Sequence, residues 1–224
     1  MTELTSHSPI HAELKHLGAT WKTISGHLFA IRLTQGAQED TVLDKLAICD
    51  ISGLPTWTVK GAGAEEWLRQ HQVNIPVAIF ATTCDLANGQ RVVRTGNDEF
   101  LVELAPHQST PAWVIPLENQ SDEFLLFERQ DAIFLVTGSE AYSLLAQTCG
   151  LNWDTIPSDT LVMTRVAGVT CGITRLSQYE VPRFQVRCDS SYATYLWGQL
   201  ITICNELGGQ PAGAELMFPE WFSI

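Results

Sequence analysis

Two stretches of the chain, TWTVKGAGAEEWL at 56–68 and IFLVTGSEAYSLL at 133–145, repeat one pattern and decide the fold. In both, a short run of alternating apolar residues ends at a glycine, Gly61 in the first stretch and Gly138 in the second, 77 positions later. Alternation with period two predicts a strand, and small residues after each glycine allow the following helix to pack closely. The pattern therefore predicts a duplicated unit of strand, tight turn and helix.

After each helix the sequence continues in the same way, with an apolar strand, a polar turn and another strand. The first copy has VVRTGNDEFLVEL at 92–104, and the second has GITRL at 172–176 followed by VPRFQVRC at 181–188. A repeat of this length is too long for a solenoid unit. The two copies therefore predict an α+β fold in which two sheets or half-sheets form one body.

Changes in composition predict the limits of the segments. The stretch at 107–121 is rich in Pro, Gln and Ser, which is typical of a connector. The aromatic tail MFPEWFSI is predicted to dock, on this chain or on another, because large apolar side chains are costly to expose. The predicted segments are 1–42 (N-terminal leader and first strand), 43–106 (first α+β copy), 107–121 (connector), 122–213 (second α+β copy) and 214–224 (C-terminal tail).

The strongest helical pattern is SSYATYLWGQLITICNELGG at 190–209. Ser190 or Ser191 is predicted to cap its start, and the glycine pair at 208–209 is predicted to end it. An apolar stripe at helical spacing is predicted to face the core, and it consists of Leu196, Leu200, Ile203 and Leu207.

Composition excludes several classes of function. The 224 residues carry a formal net charge of −12, which disfavours nucleic acid as a partner because its phosphates require clustered Lys and Arg. No apolar run approaches the roughly 18 residues of a membrane-spanning helix, so no membrane partner is expected. The start MTELTSHSPIHAEL lacks the basic and apolar regions of a secretory signal, which predicts a cytoplasmic protein.

No metal site or nucleophile motif is predicted. The six cysteines are far apart and without CxxC spacing, so they are predicted to be reduced and structural, and the histidines lie at no ligand spacing. The glycines of VKGAGAEEW lack the Gly-Lys-Ser/Thr end of a phosphate loop and are interpreted as a packing turn. The cysteines are Cys49, Cys84, Cys149, Cys171, Cys188 and Cys204.

The opening of the first copy, LAICDISGLPTWTVKGAGAEEWLRQ, resembles the glycine-cleavage T-protein (aminomethyltransferase) superfamily, which binds folate. The resemblance lies in an Asp-x-Ser element, here Asp50 and Ser52, before a strand that ends in Gly61. The order of motifs in the second copy is similar to the gamma subunit of heterotetrameric sarcosine oxidase, and the resemblance covers about 43–213. It implies a folate-binding fold without the C-terminal barrel that full T-proteins carry.

Transferases of this superfamily place an acid pair just before a strand that ends in Arg. Counting back from Arg94, those positions hold Asn88 and Gly89, neither of which ionises. Acid–base or electrostatic work on an amine needs a titratable group within hydrogen-bond reach. No catalytic residue is therefore assigned, although Asp85 could take the role if the turn shifts register, and it is kept as a candidate cofactor ligand.

The resemblance also implies a pterin ligand after Arg175. Transferases carry an Arg followed by Gly-Tyr-Thr-Gly-Glu, whereas this chain has RLSQYEVPRFQV, with Val181 at the position of the glutamate. Tyr179 and Glu180 could still hold tetrahydrofolate by stacking and hydrogen bonding, together with Arg175. The competing interpretation is a solvent-exposed turn between two strands.

The sequence supports three hypotheses. The first is an accessory, scaffolding subunit of a sarcosine oxidase-type complex, without its own chemistry, whose partners are the other subunits. The second is a stand-alone tetrahydrofolate-binding protein similar to aminomethyltransferases, and the third is a regulatory interaction module. Trp113, Trp153 and Trp221 are candidate interface anchors, with a core position as the alternative for each.

Overall fold

The computed structural model describes residues 6–38, 41–85, 89–108 and 110–222. The helices are α1 (His11–His16), α2 (Thr41–Lys45), α3 (Ala64–Gln70), α4 (Ala141–Thr148), α5 (Ala193–Glu206), α6 (Ala214–Met217) and α7 (Pro219–Phe222). The strands are β1 (Ala19–Ile24), β2 (His27–Leu33), β3 (Ala47–Asp50), β4 (Thr56–Lys60), β5 (Thr82–Asp85), β6 (Gln90–Arg94), β7 (Glu99–Leu104), β8 (Leu125–Arg129), β9 (Asp131–Thr137), β10 (Leu161–Val166), β11 (Val169–Arg175), β12 (Arg183–Asp189) and β13 (Gln210–Ala212).

These elements form two compact units. Unit 1 contains the described residues of 1–53, 131–158 and 162–224, and unit 2 contains those of 54–130 and 159–161. The boundaries of these units differ from the segment limits predicted from composition. Strand β3, for example, lies in the predicted segment 43–106 but belongs to unit 1. The predicted segments describe the repeat in the sequence, and their limits stay predictions.

Unit 1 is built on a six-stranded sheet in the order β10-β11-β12-β9-β3-β13, beside a two-stranded hairpin of β1 and β2. Strand β13 runs parallel to β3, whereas the pairs β3–β9, β9–β12 and β12–β11 are antiparallel. The core combines this sheet with apolar residues of α1, α4 and α5. The N-terminal segment is more than a leader, because it contributes a helix and the β1–β2 hairpin.

Unit 2 has a five-stranded antiparallel sheet in the order β5-β6-β7-β4-β8. Its core lies between this sheet and α3, whose Ala64 and Leu68 are fully buried. Trp113 from the predicted connector is also part of this core. The stretch 107–121 therefore contributes to packing as well as joining the two copies.

The predicted duplication is confirmed. The order of the first copy, β4-α3-β5-β6-β7, is repeated as β9-α4-β10-β11-β12, and both sets of strands assemble in the same sheet order. The strand that precedes each copy joins the sheet of the other copy: β3 pairs with β9, and β8 pairs with β4. This exchange of preceding strands was not predicted.

Both predicted glycine turns are present, and both require glycine. Gly61 has φ +133° and Gly138 has φ +118°, in the region that side-chain-bearing residues rarely adopt. A Cβ at Gly61 would collide with the carbonyl oxygen of Glu123, and a Cβ at Gly138 with that of Lys45. In each copy the glycine thus lets the strand-to-helix turn pass against the backbone that leads into the exchanged strand.

Helix α5 confirms the predicted apolar stripe but corrects the predicted N-terminal cap. Leu196 and Leu200 are fully buried and the two later stripe residues pack beside them. The prediction of Ser190 or Ser191 as the cap is wrong, because a 3₁₀ turn at Ser190–Tyr192 precedes the helix. Asp189 caps that turn, and its carboxylate accepts hydrogen bonds from the backbone N–H and the hydroxyl of Ser191 at 2.9 and 2.5 Å.

The aromatic tail docks on unit 1, as predicted for its described part. Phe218 and Trp221 stack with their ring centroids 3.8 Å apart, and Phe222 contacts Phe29 edge-on at 6.0 Å. Residues 223–224 lie outside the described part of the chain. This docking covers apolar surface that would be costly to leave in water.

Two of the three tryptophans for which an interface and a core position were both open are core residues. Trp113 is buried, and its carbonyl oxygen accepts a hydrogen bond from the indole of Trp67 at 3.2 Å. Trp153 is buried with its ring edge-on to Phe184, with centroids 5.5 Å apart. Sequence alone could not separate burial from exposure here, because both roles favour the same large apolar side chain.

Candidate functional site

The three folate candidates of unit 1 lie on one hairpin. Arg175 is the last residue of β11, and Tyr179 and Glu180 lie in the turn that leads to β12. The prediction of a turn between two strands is confirmed. Folate binding by these residues stays a prediction, and it depends on which of their polar groups are already engaged.

Arg175 directs two of its donors into unit 1. Its Nε donates to the hydroxyl of Ser158 at 2.8 Å, and its Nη1 donates to the phenol oxygen of Tyr142 on α4 at 2.7 Å. Within the described residues Arg175 forms no ion pair, so its charge has only neutral partners. Its guanidinium is therefore fixed in orientation but not neutralised.

Tyr179 and Glu180 differ in how far they are engaged. The guanidinium of Arg183 lies over the ring of Tyr179, 3.9 Å from the centroid, and also faces Phe218 at 5.8 Å. Such a cation–π contact occupies the face that a pterin would stack on. Glu180 is exposed, and its carboxylate has no partner among the residues that the structure describes.

The positions of the transferase acid pair fall in the β5–β6 turn of unit 2. Asn88 lies outside the described residues, whereas Gly89 has φ +55° and lies against Ala105. A Cβ at Gly89 would approach the Cβ of Ala105 to 2.7 Å, so an acidic side chain there would be strained in both backbone and packing. The turn itself therefore disfavours an acid at position 89.

Asp85, the alternative acid, is the last residue of β5 in unit 2. It is partly buried and lies opposite Gln90 in the β5–β6 ladder. Asp85 belongs to unit 2, whereas the three hairpin candidates belong to unit 1. Its role as a cofactor ligand stays a prediction.

Arg94, the arginine that the resemblance places next to the acid pair, is fully engaged within unit 2. It forms an ion pair with Glu65 on α3 at 2.9 Å and donates to the carbonyl oxygen of Asn97 at 2.6 Å. Its guanidinium also lies over the ring of Phe100, 5.1 Å from the centroid. These contacts fix the β6–β7 turn to the start of α3, which is a structural role.

One buried acid was missed as a titratable site. Asp50 ends β3 and is buried, and its carboxylate accepts hydrogen bonds from the hydroxyl of Ser52 at 2.5 Å and from Ser8. Burial raises the pKa of Asp50 to about 6, against the lowering effect of these hydrogen bonds. Ser52 in turn accepts from the backbone N–H of Ile133 at 2.9 Å, so this network joins β3 to β9.

Unit 2 exposes an apolar loop that sequence reasoning also missed. The loop, Val77–Phe80, has four consecutive exposed residues, with exposed fractions of 87% for Val77, 44% for Ile79 and 41% for Phe80. Phe80 has φ +66°, its N–H donates to the carbonyl oxygen of Arg94 at 2.7 Å, and its own carbonyl accepts from Leu161 at 2.7 Å. Hydrogen bonds thus hold a backbone that presents apolar side chains to solvent.

A cavity of about 170 Å³ lies elsewhere in unit 2, next to α3. Two carboxylates border it and no basic side chain does, so it would repel the anionic glutamate tail of a folate. Its lining consists of Gly63, Glu66, Trp67, Gln70, Ile115, Asn119, Ser121, Glu123 and Phe124.

The described residues offer neither a metal site nor a membrane-spanning helix. No group of three or more His, Cys, Asp or Glu side chains could hold a metal ion among the residues described. No helix within the described ranges is long and apolar enough to cross a membrane.

The fold is similar to two solved structures. Glycine cleavage system aminomethyltransferase T from Bartonella henselae matches with a TM-score of 0.69 and 15% identity, over 93% of this chain and 59% of that one. One chain of the heterotetrameric sarcosine oxidase from Corynebacterium sp. U-96, in complex with pyrrole 2-carboxylate, matches with a TM-score of 0.64 and 13% identity, over 90% of this chain and 96% of that one. No family model and no curated protein sequence matches this chain.

These likenesses show the fold, and they confirm the predicted class. The chain has the mixed α and β fold of the aminomethyltransferase and the sarcosine oxidase chain, with no closed barrel among the described residues. It spans about three fifths of the aminomethyltransferase chain. The assignment to the gamma subunits stays a prediction.

Proposed function

We propose that this chain is an accessory subunit without its own catalytic site, which docks on the larger subunits of an amine-oxidising complex of the sarcosine oxidase type. The observation that carries the proposal is the apolar loop Val77–Phe80. Exposed apolar surface costs free energy in water, at about 25 cal/mol per Å², and burial in a subunit interface recovers it. A cytoplasmic location is part of the same proposal.

The backbone of this loop supports docking by a preformed surface. Phe80 keeps a left-handed conformation that costs free energy for a residue with a side chain, and two backbone hydrogen bonds hold it there. A loop that is already ordered loses little conformational entropy on binding. The Val77–Phe80 loop is therefore suited to a fixed subunit contact.

Charge favours a different protein as the partner over a second copy of this chain. The formal net charge of −12 makes two copies repel one another, whereas a partner with basic residues around an apolar patch is attracted. The similar sarcosine oxidase chain comes from a heterotetramer and is matched over 96% of its length. We therefore propose the other subunits of such an assembly as the partners.

The lack of a suitable acid supports the absence of transferase chemistry. Gly89 occupies one position of the pair in a backbone conformation that strains an acidic residue, and Arg94 is neutralised by Glu65. Two of the three hairpin candidates for a pterin site already contact other side chains of unit 1. Arg175 donates to Ser158 and Tyr142, and Arg183 covers the ring of Tyr179.

Co-purification with the oxidase subunits tests the docking proposal. Val77→Glu and Ile79→Glu place a charge in the loop without changing the core, and each is expected to lower the yield of co-purified subunits roughly tenfold. Leu117→Glu is the matched control, because Leu117 is also an exposed apolar residue of unit 2, at 70%. Mass spectrometry of the captured chains is expected to identify them as flavin-dependent oxidase subunits.

Two results would overturn the proposal. If the wild-type chain captured no oxidase subunit from its native host, the proposed assembly would be contradicted. If Leu117→Glu lowered the yield of co-purified subunits as much as the loop variants do, the proposed role of the loop would be contradicted. Calorimetric titration of the isolated chain with tetrahydrofolate tests the alternative. Binding at micromolar concentration that is weakened by Glu180→Ala would favour the folate-binding hypothesis, because Glu180 has the unengaged carboxylate of the hairpin.

A further inference from the structure

Two free cysteines of unit 1 lie directly opposite one another on neighbouring strands. Cys171 of β11 pairs with Cys188 of β12 in an antiparallel register, and both are free thiols. Each of the two thiols shifts the pKa of the other. Both side chains are buried in the same core cluster, so they project from the same face of the sheet.

The register of the ladder shows which kind of pair they form. The N–H of Leu176 donates to the carbonyl oxygen of Arg183 at 2.9 Å, which makes these two residues a hydrogen-bonded pair of the same hairpin. Hydrogen-bonded and non-hydrogen-bonded pairs alternate along an antiparallel ladder. The pair Cys171–Cys188 lies five positions along the ladder from the pair Leu176–Arg183. Because five is an odd number, Cys171–Cys188 is a non-hydrogen-bonded pair.

That position suits a disulfide. In non-hydrogen-bonded pairs the Cα atoms are about 4.5 Å apart and the side chains are at their closest. A disulfide needs a Cα separation of about 4.4–6.8 Å. We propose that Cys171 and Cys188 are an oxidation site that forms a reversible cross-strand disulfide when the chain meets a small peroxide.

The burial of Cys171 and Cys188 limits which oxidants can reach their thiols. Cys171 has an exposed fraction of 1% and Cys188 of 4%, so a large disulfide reagent cannot reach them while the chain is folded. Hydrogen peroxide is little larger than water and can enter during local opening. By contrast, Cys84 is the exposed thiol of the chain and is accessible to reagents of any size.

The reaction balances with one peroxide for each pair of thiols. The sulfur of one cysteine of the pair attacks one peroxide oxygen, the O–O bond breaks, and the departing hydroxide takes the thiol proton to give water and a sulfenic acid. The sulfur of the other cysteine then attacks the sulfenic sulfur, and the displaced hydroxide takes the proton of the second thiol to give a second water. Two thiols lose two electrons in total, and the peroxide is reduced to two waters.

The disulfide would close the β11–β12 hairpin at the end opposite its turn. The covalent ring would enclose Arg175, Tyr179 and Glu180 and would fix the register of the two strands. A crosslink of this kind restricts the unfolded chain. Oxidation is therefore expected to raise Tm, on the order of several degrees, and a reductant should reverse the rise.

Alkylation after oxidation tests the proposal on the full chain. The reduced protein is treated with a small excess of hydrogen peroxide, denatured and alkylated with N-ethylmaleimide, and its intact mass is measured. We expect two fewer maleimide groups than in the reduced protein and a crosslinked peptide that contains Cys171 and Cys188. Cys84→Ser should behave in the same way, whereas Cys171→Ser and Cys188→Ser should lose the crosslink.

The peptide map of the wild-type chain decides the question even if the serine variants fail to fold. All cysteines remaining alkylatable after oxidation would overturn the proposal. So would a disulfide that contains Cys149, a neighbour of Cys171 in the same core, or a covalent dimer through Cys84 in place of the internal crosslink.

Discussion

The two copies of the duplicated module use the same frame for different surfaces. In unit 2 the chain leaves α3 through the exposed loop Val77–Phe80, whereas in unit 1 it leaves α4 through a turn whose Trp153 is buried against Phe184. The fold therefore does not require exposed apolar residues after this helix. The exposed loop of unit 2 is the surface that we propose for docking on a partner.

The exchanged strands β3 and β8 also differ in how far their side chains are exposed. All four residues of β3 are buried, because β9 and β13 flank it on both sides. Among the described strands β8 pairs with β4 alone and forms an edge, where Leu125 and Phe127 remain exposed at 57% and 48%. Position in the sheet, more than residue type, decides whether an apolar side chain is covered.

The arginine contacts show a difference in charge. Arg94 in unit 2 pairs with Glu65, the second residue of α3, and Arg175 in unit 1 contacts Tyr142, the second residue of α4. Glu65 and Tyr142 are 77 positions apart, which is the spacing of the repeat. The same geometric contact is therefore ionic in one copy and neutral in the other.

The largest effect is expected at the shared glycines. Gly138→Ala and Gly61→Ala should each lower the free energy of unfolding by about 4 kcal/mol, because a positive φ and a backbone collision add to one another. Gly168→Ala is the control: its φ is +86°, but no atom lies within 4 Å of the added Cβ. Gly168→Ala should lower the free energy of unfolding, measured in urea, by about 1 kcal/mol.

This prediction tests the equivalence of the two turns. If the frame is shared, Gly61→Ala and Gly138→Ala should destabilise their units to a similar extent. A cost at either position no larger than that of Gly168→Ala would show that the backbone there moves away from the added methyl group.

A smaller effect is expected from the buried acid of β3. The pKa of Asp50 is raised to about 6 in the folded chain. Between about pH 4 and 6 the carboxyl of Asp50 is therefore protonated in the folded state and ionised in the unfolded state. Its stabilising contribution is complete below pH 4 and is lost as the pH rises through 6. The free energy of unfolding should fall over this range by at most about 3 kcal/mol.

Asp50→Asn tests that assignment, because the amide does not titrate. The fall in unfolding free energy between pH 4 and 6 should become shallower in this variant than in the wild type. Glu128→Gln is the control from the other copy, since Glu128 lies near the end of β8 and is exposed. A wild-type slope that survives in Asp50→Asn would assign the titration to another acid.

Sequence predicted the features that repeat locally. The glycine turns, the strand-turn-strand order and the stripe of α5 were confirmed, because periodicity and turn chemistry act over a few residues. The exchange of β3 and β8 was missed, since it pairs strands that are far apart in the chain and leaves no local signal. The predicted N-terminal cap of α5 failed for a local reason: Asp189 and both serines suit a cap, and the 3₁₀ turn selects Asp189.

The candidate site was less predictable than the fold. The sequence located Tyr179 and Glu180 in a turn, but it could not show that Arg183 covers the ring of Tyr179. Nor could it separate PVAIF at 76–80 from a buried apolar run, because the residue types are the same. Exposure and side-chain contacts depend on tertiary packing, which a single sequence does not state.

The smallest effect is expected from the two arginine contacts, and it separates their ionic and neutral forms. Glu65→Gln removes the charge that faces Arg94, and Tyr142→Phe removes the hydroxyl that accepts from Arg175. Each should lower the free energy of unfolding by about 1 kcal/mol at low ionic strength. In about 1 M NaCl the cost of Glu65→Gln should shrink, because salt screens ion pairs, while that of Tyr142→Phe should not change.

A control is needed because Glu65 also pairs with the exposed Arg69 at 2.9 Å. Arg69→Gln removes that contact alone and should cost less than about 0.5 kcal/mol, as expected for an exposed pair one helical turn apart. The difference between Glu65→Gln and Arg69→Gln then reports the pair with Arg94. If Tyr142→Phe responded to salt as strongly as Glu65→Gln, the contact of Arg175 would have to include a charged partner, and the two copies would not differ in charge at this position.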